Sequence, residues 1–143
     1  MKYILDTNIF NKLVDGSLLP SDLPSDGQFI ATHIQIDELN NTADNERRAK
    51  LFLMFAKISP AVMPTESFIL DISRLDEAKL SNGIFFESFK GDLDLLNKGK
   101  TNNIQDALIA EVAAVNGFTL ITSDQDLANV AKKYEILFIY LQP

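Results

Sequence analysis

Short apolar runs along this chain alternate with longer stretches in which apolar residues return every third or fourth position. The first run, Tyr3-Ile4-Leu5, stops abruptly at an acid, a hydroxyl and an amide, Asp6-Thr7-Asn8. Similar runs recur over residues 28–32, 60–64, 118–122 and 136–141, the second of these four bracketed by prolines. An apolar run of about four to eight residues bounded by turn-formers is the signature of a strand buried on both faces of a parallel sheet. Helical spacing fills the intervals, over residues 9–14, 33–41, 43–58, 67–80, 84–96, 104–116 and 124–134. The clearest case is 43–58, where Asn45, Glu46, Arg47, Arg48 and Lys50 lead into Leu51, Phe52, Phe55 and Ile58. Gly91 is expected to break or bend the helix over 84–96. Thr101 or Asn102 is placed to cap the helix that follows, and Gly117 to end it.

Strands separated by helices predict βαβ units, hence an α/β fold with a central, mostly parallel, five-stranded sheet flanked by helices. Residues 17–27, with Pro20, Pro24 and Gly27, read as a loop. No repeat, low-complexity tract or linker divides the 143 residues, so residues 1–143 are read as one domain.

Composition narrows the chemistry. There is no cysteine, which excludes disulfides and thiolate metal sites and fits a reducing cytosol. No apolar run approaches the ~20 residues needed to cross a bilayer, so a soluble, cytoplasmic protein without a membrane partner is expected. The formal net charge of −7 argues at first against a nucleic-acid partner, because phosphate binding is largely electrostatic. Acids concentrated at a metal site weaken that argument, since bound divalent cations would reverse the local sign.

Four acids share one context. Asp6 ends the first strand, Glu38 lies in the helix after the second, Asp106 near the start of the helix over 104–116, and Asp124 just after the fourth strand. A parallel sheet would bring all four to its carboxyl edge, where open α/β sheets bind ligands. Each also has a plainer reading. Asp6 or Thr7, and Asp124 or Asp126, could cap helices; Glu38 could be solvated beside Asp37; the helix dipole favours Asp106. Yet residues 104–115 are apolar almost all round, the mark of a buried helix, and buried carboxylates need partners. No matching set of basic residues lies nearby, whereas Mg²⁺ or Mn²⁺ suits hard carboxylate oxygens.

In order, Leu5-Asp6-Thr7-Asn8, Asp37-Glu38-Leu39, Asp106-Ala107-Leu108-Ile109-Ala110 and Thr122-Ser123-Asp124-Gln125-Asp126-Leu127 resemble the four acidic motifs of PIN-domain nucleases. The resemblance spans nearly the whole chain and is closest in kind to the VapC-like toxins of toxin–antitoxin pairs. It implies a PIN fold and an Mg²⁺- or Mn²⁺-dependent endoribonuclease using one or two ions. Asp6, Glu38, Asp106 and Asp124 would then be the catalytic, metal-binding quartet. Asp126 would be an auxiliary acid, and Asn8 and Thr122 would hydrogen-bond and orient the carboxylates. The partners implied are an RNA substrate, an antitoxin protein and a second copy of the chain. The segment between Glu38 and Asp106 is long for the family, and Leu127 stands where an aromatic residue is common.

Rival readings fit less well. A haloacid-dehalogenase-type phosphotransferase wants a second Asp where this chain has Asn8. A receiver domain wants an acidic pair near the N-terminus and a later lysine after a strand. The alternative that remains is a catalytically inactive PIN-fold module that binds RNA or protein. Lys90, Lys98, Lys100, Arg47, Arg48 and Lys50 are the available phosphate contacts, and solvated helix faces explain them equally well. The lone histidine, His33, is expected to cap or pack. Phe85, Phe86 and Phe89 are read as core or interface residues rather than a base-stacking platform.

Overall fold

The computed structural model describes residues 1–58, 60–65 and 84–142; the helix expected over 67–80 lies outside them. Five strands form one sheet: β1 (Lys2–Leu5), β2 (Gln28–Ala31), β3 (Ala61–Val62), β4 (Thr119–Thr122) and β5 (Phe138–Tyr140). Their spatial order is β3-β2-β1-β4-β5 and every pairing is parallel. The helices are α1 (Thr7–Asp15), α2 (His33–Asn40), α3 (Asn45–Ile58), α4 (Ile84–Asn97), α5 (Asn103–Asn116) and α6 (Gln125–Lys133). Within the loop over 17–27, Pro20–Asp22 makes one turn of 3-10 helix.

Alternation along β1 builds two cores at once, because successive side chains of a strand leave opposite faces. Tyr3 and Leu5 join Ile121 against Ile9, Phe10 and Leu13 of α1, Leu39 of α2 and Leu51 of α3. Ile4, Ile30 and Leu120 join Leu108, Ile109 and Val112 of α5, Phe89 and Leu93 of α4 and Leu127 and Val130 of α6. Each such fully buried Leu, Ile or Phe contributes about 1.5–3 kcal/mol relative to exposure. Phe86 and Phe89 lie in the core, with Phe85 stacked on Phe89 at 5.6 Å and edge-on to Tyr134.

Helix α4 runs unbroken through Gly91, so the break that was one of the two expectations there does not occur. Gly91 is exposed, while its neighbours Phe89 and Leu93 are buried among α5 and α6. That packing outweighs the ~1 kcal/mol helix cost of one glycine. Gly117 closes α5 at φ 68°, with its N–H bonded to the Ala113 carbonyl. His33, the first residue of α2, is buried.

The strand order decides where a site can form. β1 runs at the centre; the chain first builds outward through β2 and β3, then returns to the other flank with β4 and β5. The reversal falls between β1 and β4, and open α/β sheets bind ligands just beyond the carboxyl ends of the strands at such a point.

Candidate active site

Asp6 is the first residue beyond β1 and stands where α1 begins. The pairing Leu5 with Ile121 places Asp6 beside Thr122, the last residue of β4. The Thr122 hydroxyl donates to Asp6 Oδ2 at 3.0 Å and accepts from the Asp124 backbone N–H at 2.9 Å. One buried hydroxyl thus ties the end of β1 to the turn after β4. Asp124 caps α6 through Oδ1, which accepts from the N–H groups of Asp126 and Leu127. Its Oδ2 lies 3.7 Å from Lys100 Nζ. Cap and site are not exclusive readings here, because the two oxygens of one carboxylate are used separately.

Glu38 comes from α2, which is anchored to β1 from below. Thr32 and Gln35 form a capping box at its start, and the Gln35 side-chain amide donates to the Leu5 carbonyl at 3.0 Å. Glu38 Oε1 accepts from the Thr7 hydroxyl at 2.8 Å. Asp106 sits in the first turn of α5, only 3% exposed. Asn102 holds the cap position of that helix without a side-chain capping bond, but its carbonyl accepts from the Asp106 N–H.

The four carboxylates act on one another electrically. Burial, then the charges of Asp6, Glu38 and Asp124, push Asp106 well above the ordinary carboxylate range, and Lys100 offsets part of this. Asp6 is raised to about 6, chiefly by burial; Thr122 pulls it down, Asp124 pushes it up, and the N–H groups of Asn8 and Thr7 lower it. Asp6 nonetheless makes no side-chain capping hydrogen bond to α1, so those N–H groups act as nearby dipoles rather than as bonded partners. Glu38 is raised to about 7 by burial first, lowered by Thr7, and raised again by Asp6. Burial first, and then the like charges of the neighbouring carboxylates, raise all three.

The expected supporting residues behave differently from one another. Thr122 is fully buried between two of the acids. Asn8 has an exposed side chain, so what reaches Asp6 is its backbone N–H. Asp126 touches Asp124 through its own backbone N–H. Thr7 and Gln35 orient Glu38 and the end of β1, roles that sequence reasoning missed. A hydroxyl directly after Asp6 was the available signal for Thr7; for Gln35 only the Thr32-to-Gln35 capping spacing pointed to its structural half.

Among the described residues no three acid or histidine side chains already form a set able to hold a metal ion. Like charges without a counter-ion have no cause to close to ligand distance. The donor set itself, four crowded carboxylates with one loosely placed lysine, fits a hard divalent cation.

A family profile described as "PIN domain" matches residues 3–133. No curated protein sequence matches the chain at a significant level. Solved structures share the fold at low identity. A member of the VapBC family of toxin–antitoxin systems, VapBC-5 from Mycobacterium tuberculosis, is 21% identical, with 98% of each chain covered and a TM-score of 0.51. VapBC2 from Rickettsia felis, solved bound to a DNA fragment from its promoter, is 16% identical, with 98% of each chain covered and a TM-score of 0.53. A domain of a functionally unknown protein from Methanocaldococcus jannaschii is 20% identical, with 99% of this chain and 91% of that one covered and a TM-score of 0.55.

Proposed function

The chain belongs to the PIN-domain family, and on that footing we propose that it is a metal-dependent endoribonuclease and the toxin of a toxin–antitoxin pair. One observation carries the reading. Carboxylates on four separate elements lie near enough at the sheet's switch point for the charges of Asp6, Glu38 and Asp124 to act on Asp106, and among the described residues Lys100 is a cation within reach of them. A protein that only needed to fold would gain by replacing them.

Asp6, Glu38, Asp106 and Asp124 would hold Mg²⁺ or Mn²⁺, as one ion or two. Such an ion polarises a bridging phosphate and lowers the pKa of an attacking water. The chain's own residues prepare this. Thr122 fixes the orientation of Asp6 and, through the Asp124 N–H, the turn that carries Asp124. Thr7 holds Glu38. Asp124 spends Oδ1 on the start of α6, which leaves Oδ2 for the site.

The partner reading extends the same proposal. Two of the structures that share this fold are described as toxin–antitoxin systems. Two apolar strips on this chain suit protein partners. Leu13, Val14, Leu53 and Met54 line a groove of about 280 Å³ between α1 and α3. Leu95, Leu96 and Val130 line another of about 350 Å³ between α4 and α6. We assign such surfaces to an antitoxin segment and to a second copy of the chain. A partnerless monomer in native-cell pull-down and size-exclusion chromatography would refute that assignment. Among the described residues no helix is long and apolar enough to cross a membrane.

The deciding experiment is cleavage of a mixed RNA pool with Mn²⁺ or Mg²⁺ against EDTA, by wild type, Asp6→Asn and Asp106→Asn. Metal-dependent cutting that both variants lose supports the proposal. Cutting that survives Asp6→Asn refutes the site. No cutting and no metal uptake by wild type would favour a binding module.

A further inference from the structure

Six basic residues were open as phosphate contacts, and the structure commits most of them elsewhere. Arg47 pairs with Asp15 at 2.6 Å and also donates to Asn11. Arg48 donates to the Thr42 carbonyl and to Asn45. Lys50 faces Glu46 one helical turn away, and Lys90 pairs with Asp94 at 2.8 Å. Lys100 differs: its described partner is Asp124, one of the four acids, and its charge acts on Asp106 as well.

The turn that carries Lys100 is built to a fixed shape. Lys98 and Gly99 both take left-handed backbone conformations, at φ 59° and 74°, and a non-glycine residue there costs of order 1 kcal/mol. Gly99 N–H bonds to the Asp94 carbonyl, and Lys100 N–H bonds to Asn97 Oδ1 at 3.2 Å. The buried Asn103 amide ties Asp94 at 2.7 Å and Asn97 at 2.8 Å, and Asn97 donates back to Asn103 Oδ1. Asn103 N–H in turn bonds to the Lys100 carbonyl. The backbone of Lys100 is therefore held on both sides, while its side chain is 49% exposed.

We infer that Lys100 is a substrate-binding residue of the acidic site, presented by the α4–α5 turn to take a non-bridging oxygen of the RNA phosphate. The inference rests on the nuclease reading and adds to it the cation that an acidic site needs to attract a polyanion. At 3.7 Å the Lys100–Asp124 contact is longer than a hydrogen bond. A half-solvated ammonium leaves so loose a partner at little cost. A divalent cation held by Asp124 would supply the positive charge that carboxylate now meets in Lys100, and would leave the Lys100 ammonium free for the phosphate.

The test compares wild type, Lys100→Gln, Lys100→Arg and Lys57→Gln, the last removing an exposed charge on α3. Binding of a fluorescein-labelled single-stranded RNA pool is followed by anisotropy in Ca²⁺ across a salt series. Cleavage is followed in Mn²⁺, and Mn²⁺ affinity by calorimetry. Lys100→Gln is expected to raise Kd and KM about tenfold, with kcat much less changed. The log–log salt slope should fall by about 0.7, Mn²⁺ affinity should hold, and Lys100→Arg should recover most of the RNA affinity. Lys100→Gln matching Lys57→Gln in Kd and slope would overturn the inference, as would a loss of Mn²⁺ affinity, which marks a structural role. A wild type that binds RNA without cutting would sink the nuclease reading alone, and the binding comparison would still decide for Lys100. A wild type that neither binds nor cuts would sink both.

Discussion

Asp106 is where site and stability conflict most directly. It is buried, on an apolar helix, and faced by three other carboxylates. Asp106→Asn should abolish cleavage, by at least about 1,000-fold, and stabilise the metal-free protein at pH 8 by about 1–2 kcal/mol through relief of like charge. Urea denaturation in EDTA measures the second effect; a destabilised variant would mean that Asp106 is paired rather than repelled. Thr122 presents the opposite case. Thr122→Val keeps the shape but removes the donor to Asp6 and the acceptor for the Asp124 N–H. The expected cost is about 1–3 kcal/mol, with Mn²⁺ bound about 10- to 100-fold more weakly. Unchanged calorimetric affinity would show that Asp6 is oriented by other groups.

At the scale of elements, two glycines matter for unrelated reasons. Gly117 needs its left-handed φ to end α5, but an added Cβ would meet nothing within 4 Å. Gly117→Ala should therefore cost only about 1 kcal/mol, the backbone strain alone. Gly27, just before β2, has no such φ; a Cβ there would lie 2.2 Å from the Met1 carbonyl oxygen and 2.8 Å from the Tyr3 ring. The Gln28 N–H bonds to that same carbonyl, so backbone must shift where β1 and β2 join. Gly27→Ala should cost about 2 kcal/mol or more, and melting curves that rank the two variants the other way would contradict this account. The elements themselves were legible where burial is two-sided: all five strands were expected from their apolar runs, and β2 to β5 each proved shorter than its run, while β1 begins one residue earlier, at Lys2. Gly91 misled because local propensity carries no information about the core that α4 packs against.

For the molecule as a whole, the acidic crevice sets the response to pH. Asp6 at about 6 and Glu38 at about 7 bind protons more tightly folded than unfolded. Their stability contribution is full below pH ~4 and is lost as pH rises through 6 and 7. Asp15, held low by Arg47, and Asp94, held low by Lys90 and then Asn103, work the other way and lose their contribution as pH falls through the acid range. Metal-free protein should therefore melt about 5–10 °C higher at pH 5 than at pH 8. Mn²⁺ should raise the melting temperature at pH 8 and do little at pH 5, where protons already neutralise the acids. A flat profile in EDTA, or Mn²⁺ stabilisation of equal size at both pH values, would count against a coupled carboxylate site.

By itself the sequence determined the α/β class, the alternation of strands and helices and the type of residue at every strand end. Those features are local, written in apolar periodicity and in the polar residues that interrupt it. Only the tertiary structure decided that the acids lie near one another. Asp6 and Thr122 lie far apart along the chain and meet because Leu5 pairs with Ile121 in the β1–β4 register. Thr7 reaches Glu38 because Gln35 pins α2 to the end of β1. Lys100 comes within reach of Asp124 because a turn, held by Asn97 and Asn103, delivers it there. The parallel sheet is the physical reason in each case, since its register and its reversal between β1 and β4 bring separate loops into one crevice.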